Sequence, residues 1–264
     1  MDPGVGCSTA MQSGGWSRDP DGVKQPNLGS TDPRKPKDMN YTWLLFDADN
    51  TLWDFSAAEA HGLEQVLRER DMEWSAEVLA TYRLINRAAW DDYEAGRLPK
   101  EQLRDVRFKR LLEHYKQEHP AEELSLSYRN YLAASTHMLD GARDVLDAVH
   151  GRYQLGLITN GLTEVQRPRL AATDLERYFE FIIISDELGV AKPQAAFFEH
   201  AYAQMGGVPK SEVLVIGDNA NADVRGALDF GFDACWLRHP GVAKHPNLGE
   251  TFRIRTIGEL LKFI

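Results

Sequence analysis

The 264-residue chain is 43% hydrophobic and 27% charged, which is ordinary for a soluble globular protein and allows one α/β domain with an insertion. Its formal net charge of −10 argues against a nucleic-acid partner, because a phosphate backbone is bound by clustered Lys and Arg. No apolar stretch approaches the roughly 20 residues that a membrane-spanning helix needs, so we expect no membrane partner.

Residues 1–40 differ in composition from the rest of the chain. They are rich in Pro, Gly, Ser, Asp and Lys and show no helical or strand periodicity. Such a segment buries too little apolar surface to offset its ordering entropy, so we predict a disordered tail without a secretory signal. Met39, near the start of the predicted folded region, is a second candidate start of translation.

The chain has two cysteines, Cys7 in this tail and Cys235 in a predicted late strand. We expect no disulfide between them, and so few cysteines are consistent with a reducing cytoplasm, the location we predict. We interpret Cys235 as a small buried hydrophobe rather than a reactive thiol.

The predicted folded region opens with an apolar strand at 43–46, followed by a long helical stretch. Apolar spacings of three and four residues predict helices at 56–70, 75–96, 99–115 and 122–138, with a fifth after Gly141. Ser56 and Glu59 form a capping-box pattern at the start of the first helix, and Ser75 opens the second.

From Tyr153 onward, apolar strands alternate with helices. The strands are predicted at 155–158, 181–184, 213–216 and 234–237, and the helices at 163–172, 193–206, 221–230 and 256–263. This alternation predicts an α/β fold with a doubly wound, Rossmann-like parallel sheet. Because the first strand belongs to that sheet, we predict a core of residues 41–55 and 139–264 with a helical domain inserted at 56–138.

Four of the predicted strands lead into residues that carry chemistry. These residues are Asp47 and Asp49 after the first strand, Thr159 after the second, Lys192 in the loop beyond the third, and Asp218 and Asp223 after the fourth. Ligands of open parallel sheets bind beyond the carboxyl ends of the strands. We therefore expect four carboxylates, a hydroxyl and an ammonium in one crevice.

That combination of groups suits phosphoryl transfer. Asp47 and Asp49, two positions apart at a strand end, project to the same side. With Asp218 they make an all-oxygen site suited to Mg²⁺. The cation and Lys192 would offset the repulsion between an aspartate and a phosphate, so that a carboxylate could act as a covalent nucleophile.

The motifs Asp-x-Asp-x-Thr from Asp47, Thr159, Lys192, and Gly-Asp-x-x-x-x-Asp from Gly217 occur in this order over about residues 42–238. The set resembles the haloacid dehalogenase-like hydrolase superfamily. The resemblance implies that Asp47 is the nucleophile and a metal ligand. It also implies that Asp49 is the acid and base, with its backbone carbonyl on the metal.

The same resemblance implies roles for the other motif residues. Asp218 would bind Mg²⁺, and Lys192 would neutralise charge between nucleophile and phosphate. Thr159, Asn160 and Gly161 would hold phosphoryl oxygens. Asp223 would orient the metal shell or Lys192, although it could instead cap the helix that follows. Thr51 is expected to support its turn.

A closer likeness lies in the segments 46–53, 86–96, 107–108, 158–161, 189–193 and 235–237. They resemble the pyrimidine 5′-nucleotidase branch, whose helical cap follows the first motif and matches residues 56–138. The likeness implies a Mg²⁺-dependent phosphatase of nucleoside 5′-monophosphates, pyrimidine ones in particular. Asn219 departs from the Thr or Ser common among relatives. We expect the protein to be a monomer or homodimer.

Three other functions remain open at this stage. A phosphatase of a sugar phosphate or another small phosphometabolite would use the same core. A 2-haloacid dehalogenase is disfavoured by Asp49, because a halide leaves without protonation. A non-enzymatic regulator would be expected to lack a motif residue, and all are present here.

Some further residues have two interpretations each. Asn86, Trp90, Tyr93 and Arg107 could contact a base or sugar, but we favour packing within the helical insertion for Trp90 and Tyr93. His239 and His245 lie near prolines and have no metal-ligand spacing, so we predict a solvated loop there.

Overall fold

The computed structural model describes residues 1, 40–240 and 248–264. Cys7, Met39 and nearly all of the predicted tail lie outside these residues, and so does His245. None of the helices in the described ranges is long and apolar enough to cross a bilayer.

Six parallel strands form one sheet in the order β3-β2-β1-β4-β5-β6. They are β1 Trp43–Phe46, β2 Gln154–Thr159, β3 Phe181–Ile184, β4 Val213–Gly217, β5 Asp233–Leu237 and β6 Phe252–Ile254. The order confirms the predicted doubly wound parallel sheet. The sequence pattern does not predict β6, which has only three residues and lies at the edge of the sheet beside β5.

The helices of the described ranges follow the predicted sequence of elements except for α7 (Ser185–Leu188), a short helix where a loop is predicted. They are α1 Phe55–Arg68, α2 Ala76–Glu94, α3 Lys100–Tyr115, α4 Ala121–Ala134, α5 Ala142–Val149, α6 Thr163–Thr173, α7 Ser185–Leu188, α8 Ala195–Ala203 and α9 Gly226–Phe230. A π-helical segment, Ala220–Arg225, precedes α9, and a 3-10 helix, Ile257–Lys262, replaces the last predicted α-helix.

Side chains of β1 alternate between the two faces of the sheet. Leu44 and Phe46 belong to the hydrophobic cluster that includes residues of α5, α6 and the 3-10 helix 257–262. Trp43 and Leu45 belong to the cluster that includes residues of α8 and α9. Both faces are therefore covered by helices, as in other parallel sheets.

Helices α1 to α4 lie between β1 and β2 in the chain and share a separate hydrophobic cluster. The rings of Tyr82, Phe108 and Tyr128 meet there, with centroids 5.3 to 5.6 Å apart. Leu162 and Val165 at the start of α6 join the same cluster, so the insertion packs next to the end of β2. The boundaries predicted for the core and for a cap domain at 56–138 stay a prediction.

The predicted capping box at the start of α1 is wrong. Asp54 is the N-cap residue, and its side chain accepts a hydrogen bond from the Ala57 amide at 2.9 Å. The Ser56 amide and hydroxyl both donate to Asn50 Oδ1 at 3.0 Å, and Glu59 is buried against other helices. The cap is therefore supplied by Asp54, two residues earlier than predicted, while Ser56 bonds to the turn after β1.

Helix α4 ends four residues before the predicted boundary at 138, because the following residues run beside the segment that leaves β1. The Asp54 amide donates to His137 O at 3.0 Å, and the Leu139 amide donates to Leu52 O at 2.9 Å. The two connections between the insertion and the sheet are thus hydrogen-bonded to each other.

Gly226 offers a test of how α9 is placed against the loop that carries Lys192. A Cβ at Gly226 would lie 2.9 Å from the Pro193 Cα and 2.8 Å from a Phe198 ring atom. We predict that Gly226→Ala lowers the free energy of unfolding by about 1–3 kcal/mol through overpacking.

Gly258→Ala is the matched control, because a Cβ there meets no atom within 4 Å. Its free energy of unfolding should change by less than about 0.5 kcal/mol. Urea unfolding followed by fluorescence measures both variants, and equal free energies for the two would contradict the close packing.

Candidate active site

The carboxyl ends of β2, β1 and β4 are neighbours in the sheet, and three predicted site residues lie there. Thr159 ends β2, Asp47 follows β1 and Asp218 follows β4. The Asp47 amide donates to Ile216 O at 2.9 Å, which holds the start of the first loop against β4. Parallel pairing thus brings together residues that are far apart in the sequence.

Lys192 lies at the centre of the site, with a side chain that is 1% exposed. Its Nζ donates to Asp47 Oδ1 at 2.8 Å, to Asp223 Oδ1 at 2.6 Å and to Ile158 O at 2.8 Å. These three bonds use all the donors of an ammonium group. Burial alone would lower the pKa of Lys192, but the charges of Asp223 and Asp47 outweigh it and raise the pKa. The side chain is therefore a fixed positive charge.

Asp47, Asp218 and Asp223 each place a carboxylate oxygen within 4.8 Å of the other two. Burial raises the pKa of Asp47 to about 7, and the charges of Asp223 and Asp49 add to this although Lys192 opposes it. Burial and the charges of Asp47 and Asp223 raise the pKa of Asp218 well above its usual value. The residues fit a hard divalent cation such as Mg²⁺, because the donors are all oxygen and their charges repel one another.

Asp223 is held from both sides. One carboxylate oxygen accepts from Lys192 and the other accepts from the Asn219 amide at 2.9 Å. The segment that follows is capped instead by the Asn219 side chain, which accepts from the Asn221 and Ala222 amides. A Cβ at Gly217 would overlap the Asp223 carboxylate, so the glycine leaves room for it.

Asn160 ties the loop after β2 to the loop that carries Lys192. Its Oδ1 accepts from the Lys192 amide at 2.9 Å, and its Nδ2 donates to Lys192 O at 2.8 Å. Thr159 Oγ1 accepts from the Gly161 amide at 3.0 Å. The structure therefore brings the predicted phosphate-binding residues, Thr159 to Gly161, next to Lys192.

The carboxylate of Asp49 is not part of the acidic cluster. Its Oδ1 accepts from an Arg169 guanidinium nitrogen and its Oδ2 from Gln166 Nε2, each at 2.6 Å. Arg169 is fully buried and lies 4.3 Å from the centre of the Trp53 ring. Sequence reasoning did not identify Gln166 or Arg169. The available signal was their spacing of three residues on the helix that follows Gly161.

The carboxyl end of α2 reaches the same loops. Glu94 Oε1 accepts from Asn160 Nδ2 at 3.3 Å, and the Tyr93 hydroxyl lies 3.4 Å from Ser185 Oγ. Trp90 packs edge to face on Tyr93, with centroids 5.8 Å apart. Tyr93 therefore contacts Ser185 of the core as well as Trp90 of the insertion, so the favoured packing within the insertion accounts for only one of these two contacts.

Asn86 and Arg107 lie inside the insertion. Asn86 Nδ2 donates to Glu59 at 3.1 Å, and Arg107 donates to Asn86 Oδ1 at 3.1 Å. Both residues are buried, and the Arg107 guanidinium lies 5.2 Å from the Tyr128 ring centre. In this arrangement they bond to one another and not to the loops of the acidic cluster.

Ion pairs join α3 to the core near the site. Arg104 binds Glu164 at 3.0 Å and Asp186 at 3.0 Å, and Lys100 Nζ donates to Asp186 O at 2.5 Å. Glu164 begins α6 and Asp186 lies in α7, so one face of the insertion is held to two core helices.

Three remaining predictions can be compared with the structure. His239 lies in the loop after β5 and is partly exposed, and its Nε2 lies 2.6 Å from Asn50 O, so this part of the loop packs on the turn after β1. Cys235 is fully buried, which confirms the prediction, and burial raises the pKa of its thiol. Thr51 is fully buried in the turn after β1.

Comparison with known proteins identifies related sequences. The model of the haloacid dehalogenase-like hydrolase family matches residues 41–231. The chain is 37% identical to the pyrimidine 5′-nucleotidase PynA of Streptococcus pneumoniae, over 84% of this chain and 94% of the relative. It is 33% identical to the pyrimidine 5′-nucleotidase YjjG of Escherichia coli, over 84% of this chain and 97% of the relative.

Solved structures share the fold. The magnesium-bound HAD-hydrolase YfnB of Bacillus subtilis matches with a TM-score of 0.79 and 30% identity, over 84% of this chain and 98% of that one. L-2-haloacid dehalogenase of Xanthobacter autotrophicus matches with a TM-score of 0.66 and 19% identity, over 84% and 97% of the two chains. The second likeness concerns the fold alone.

We predict that Mg²⁺ raises the thermal unfolding temperature more at pH 8 than at pH 6, because protons compete with a cation for carboxylates of raised pKa.

Without a cation, Asp47 favours the folded state most below the unfolded pKa of about 4. That contribution is lost as pH rises to about 7, because in this window the folded state keeps a proton that the unfolded state has released.

Scanning fluorimetry with and without MgCl₂ at the two pH values measures this shift. Asp218→Asn is the control and should lose most of it, since one carboxylate of the cluster is removed. An equal shift at both pH values, or a larger one at pH 6, would contradict the proposed cation site.

Proposed function

The chain belongs to the haloacid dehalogenase-like hydrolase family, and on this basis we propose that it is a Mg²⁺-dependent phosphatase of nucleoside 5′-monophosphates, in particular pyrimidine ones. Family membership and the nucleotidase relatives identify it as a phosphoric monoester hydrolase. The observation that carries the proposed Mg²⁺-dependent phosphoryl transfer is the Lys192 ammonium held between Asp47 and Asp223, with Asp218 beside them.

The substrate proposal rests on the extent of the likeness. PynA and YjjG align with 84% of this chain, a length that includes the helical insertion. Relatives named for phosphoserine or glyceraldehyde 3-phosphate align with 34% to 43% of it. Two named for N-acylneuraminate 9-phosphate and ribulose 1,5-bisphosphate align with 73% to 75% of it, but at 24% to 27% identity. The insertion adjoins the predicted phosphate-binding loop. Sequence similarity that extends over the insertion therefore supports a similar substrate.

In the first step that we propose, an Asp47 oxygen attacks the phosphorus and the bond to the ester oxygen breaks. Asp49 gives its proton to the departing alkoxide. Lys192 offsets the charge between the nucleophile and the phosphoryl oxygens, which Thr159 and the backbone of Asn160 and Gly161 would hold.

In the second step, Asp49 takes a proton from water, whose oxygen attacks the phosphorus of the aspartyl phosphate. The bond between phosphorus and Asp47 breaks, and inorganic phosphate leaves with the Asp47 carboxylate restored. In both steps the Asp49 side chain must turn away from Arg169 and Gln166, because these two residues occupy both of its carboxylate oxygens.

Asp47 and Asp218, with the backbone carbonyl of Asp49, are the groups that we propose hold Mg²⁺. When bound there, Mg²⁺ would stabilise the negative charge on the phosphoryl oxygens. The helical insertion is proposed to act as a lid that excludes water during transfer. A cytoplasmic location and a monomeric or homodimeric state stay predictions.

A substrate panel tests the proposed specificity. We expect phosphate release from UMP, CMP and their deoxy counterparts to exceed release from purine nucleotides and sugar phosphates. Preference for a sugar phosphate would show instead a phosphatase of another metabolite. Release of halide from a 2-haloacid would contradict the proposed reaction class.

Asp47→Asn should lower phosphate release by about 10³-fold or more, because the amide is a poor nucleophile. Steady-state release of phosphate from p-nitrophenyl phosphate measures this loss. Near-normal turnover in this variant would rule out the covalent route.

Asp49→Asn should slow phosphate release by about 10²–10⁴-fold, since it removes the proton donor and acceptor. Its affinity for Mg²⁺ should stay close to that of the parent, because the proposed ligand at this position is the backbone carbonyl. Calorimetric titration with MgCl₂ checks the affinity, and a large loss there would show that the Asp49 carboxylate itself binds the metal.

A further inference from the structure

Glu94, the last residue of α2, is a buried carboxyl group with one unused oxygen. The residue is 9% exposed, and its Oε1 accepts from Asn160 Nδ2 at 3.3 Å. Its Oε2 is shielded from solvent and has no hydrogen-bond partner within the described ranges. Leaving a buried carboxyl oxygen without a hydrogen bond costs free energy. A ligand that donates a hydrogen bond to Oε2 would remove that cost.

The surroundings of Glu94 place it where a substrate would bind. Asn160 directly follows Thr159 in the proposed phosphate-binding loop. Beside Glu94, the Tyr93 hydroxyl lies 3.4 Å from Ser185 Oγ, which donates to Asn160 O at 3.0 Å. The end of α2 therefore rests on that loop.

The electrostatics agree with this position. Burial raises the pKa of Glu94 to about 7, Arg87 opposes the rise, and the charge of Asp223 in the acidic cluster adds to it. Glu94 is thus close enough to the cluster to be influenced by it. The negative charge of Glu94 and of the acidic cluster would repel a second phosphate group of a ligand, but it would not repel a neutral hydrogen-bond donor.

We propose that Glu94 Oε2 accepts a hydrogen bond from a sugar hydroxyl of the bound nucleotide and so selects substrates with a hydroxylated sugar. The inference rests on the proposed function. In a nucleoside 5′-monophosphate the sugar is the group next to the phosphate, and its hydroxyls are donors of suitable reach. Glu94 is therefore a specificity residue contributed by the insertion.

The test compares wild type and Glu94→Ala on UMP, 2′,3′-dideoxy-UMP and p-nitrophenyl phosphate. Wild type should have a kcat/KM for UMP at least about tenfold above that for the dideoxy substrate, the scale of one hydrogen bond to a charged group. In Glu94→Ala this ratio should fall to within about twofold of unity. Hydrolysis of p-nitrophenyl phosphate, which has no sugar, should fall by a smaller factor than hydrolysis of UMP.

Two further variants sharpen the result. Glu113→Ala removes an exposed carboxylate from α3 and should retain the wild-type ratio. Glu94→Gln keeps an acceptor for Asn160 but puts an NH₂ donor in the place of Oε2. If the alanine variant does not fold, the glutamine variant should still lower the ratio by about threefold, since the sugar hydroxyl loses its acceptor there.

Three outcomes would overturn the inference. A wild-type ratio near unity, or an unchanged ratio in Glu94→Ala, would show that the sugar does not contact Glu94. An equal loss on all three substrates would show that Glu94 only orders Asn160. If wild type hydrolyses p-nitrophenyl phosphate but no nucleotide, the proposed function itself fails, and the inference fails with it.

Discussion

The buried ammonium of Lys192 is the group on which the rest of the site depends. Three carboxylates, those of Asp47, Asp218 and Asp223, lie within 4.8 Å of one another, a separation at which buried like charges repel strongly. Lys192 offsets one of these charges and holds two of the carboxylates in place. The negative charge that remains is what makes the site suited to a divalent cation and, through it, to a phosphate.

The parallel sheet and the loops after its strands hold these charged groups together. Parallel pairing of β1 with β2 and β4 brings Asp47, Thr159 and Asp218 together at the carboxyl ends of these strands. The Asn160 side chain binds the backbone N–H and C=O of Lys192 and so fixes one loop relative to the other. Burying paired charges costs solvation free energy, and at Lys192 and Asp223 the hydrogen bonds with Ile158 O and the Asn219 amide offset part of that cost.

The sequence predicts the sheet and the motif positions well, because short apolar runs that end on polar residues leave a strong local pattern. It does not predict the partners of Asp49, since Gln166 lies 117 residues further along the chain and contacts Asp49 only through the fold. The failure at Ser56 is different in kind, because a second capping residue, Asp54, lies two positions earlier and Ser56 bonds to Asn50 instead. Strand β6 has too few residues for a period-two pattern.

The proposed mechanism requires that Asp47 becomes covalently phosphorylated. Rapid acid quenching of the enzyme during turnover of a ³²P-labelled monoester, followed by peptide mapping, tests it most directly. We predict radiolabel on the peptide that contains Asp47, stable in acid and released by mild base, and none in Asp47→Asn. Turnover with no labelled protein, or with the label on another residue, would contradict it.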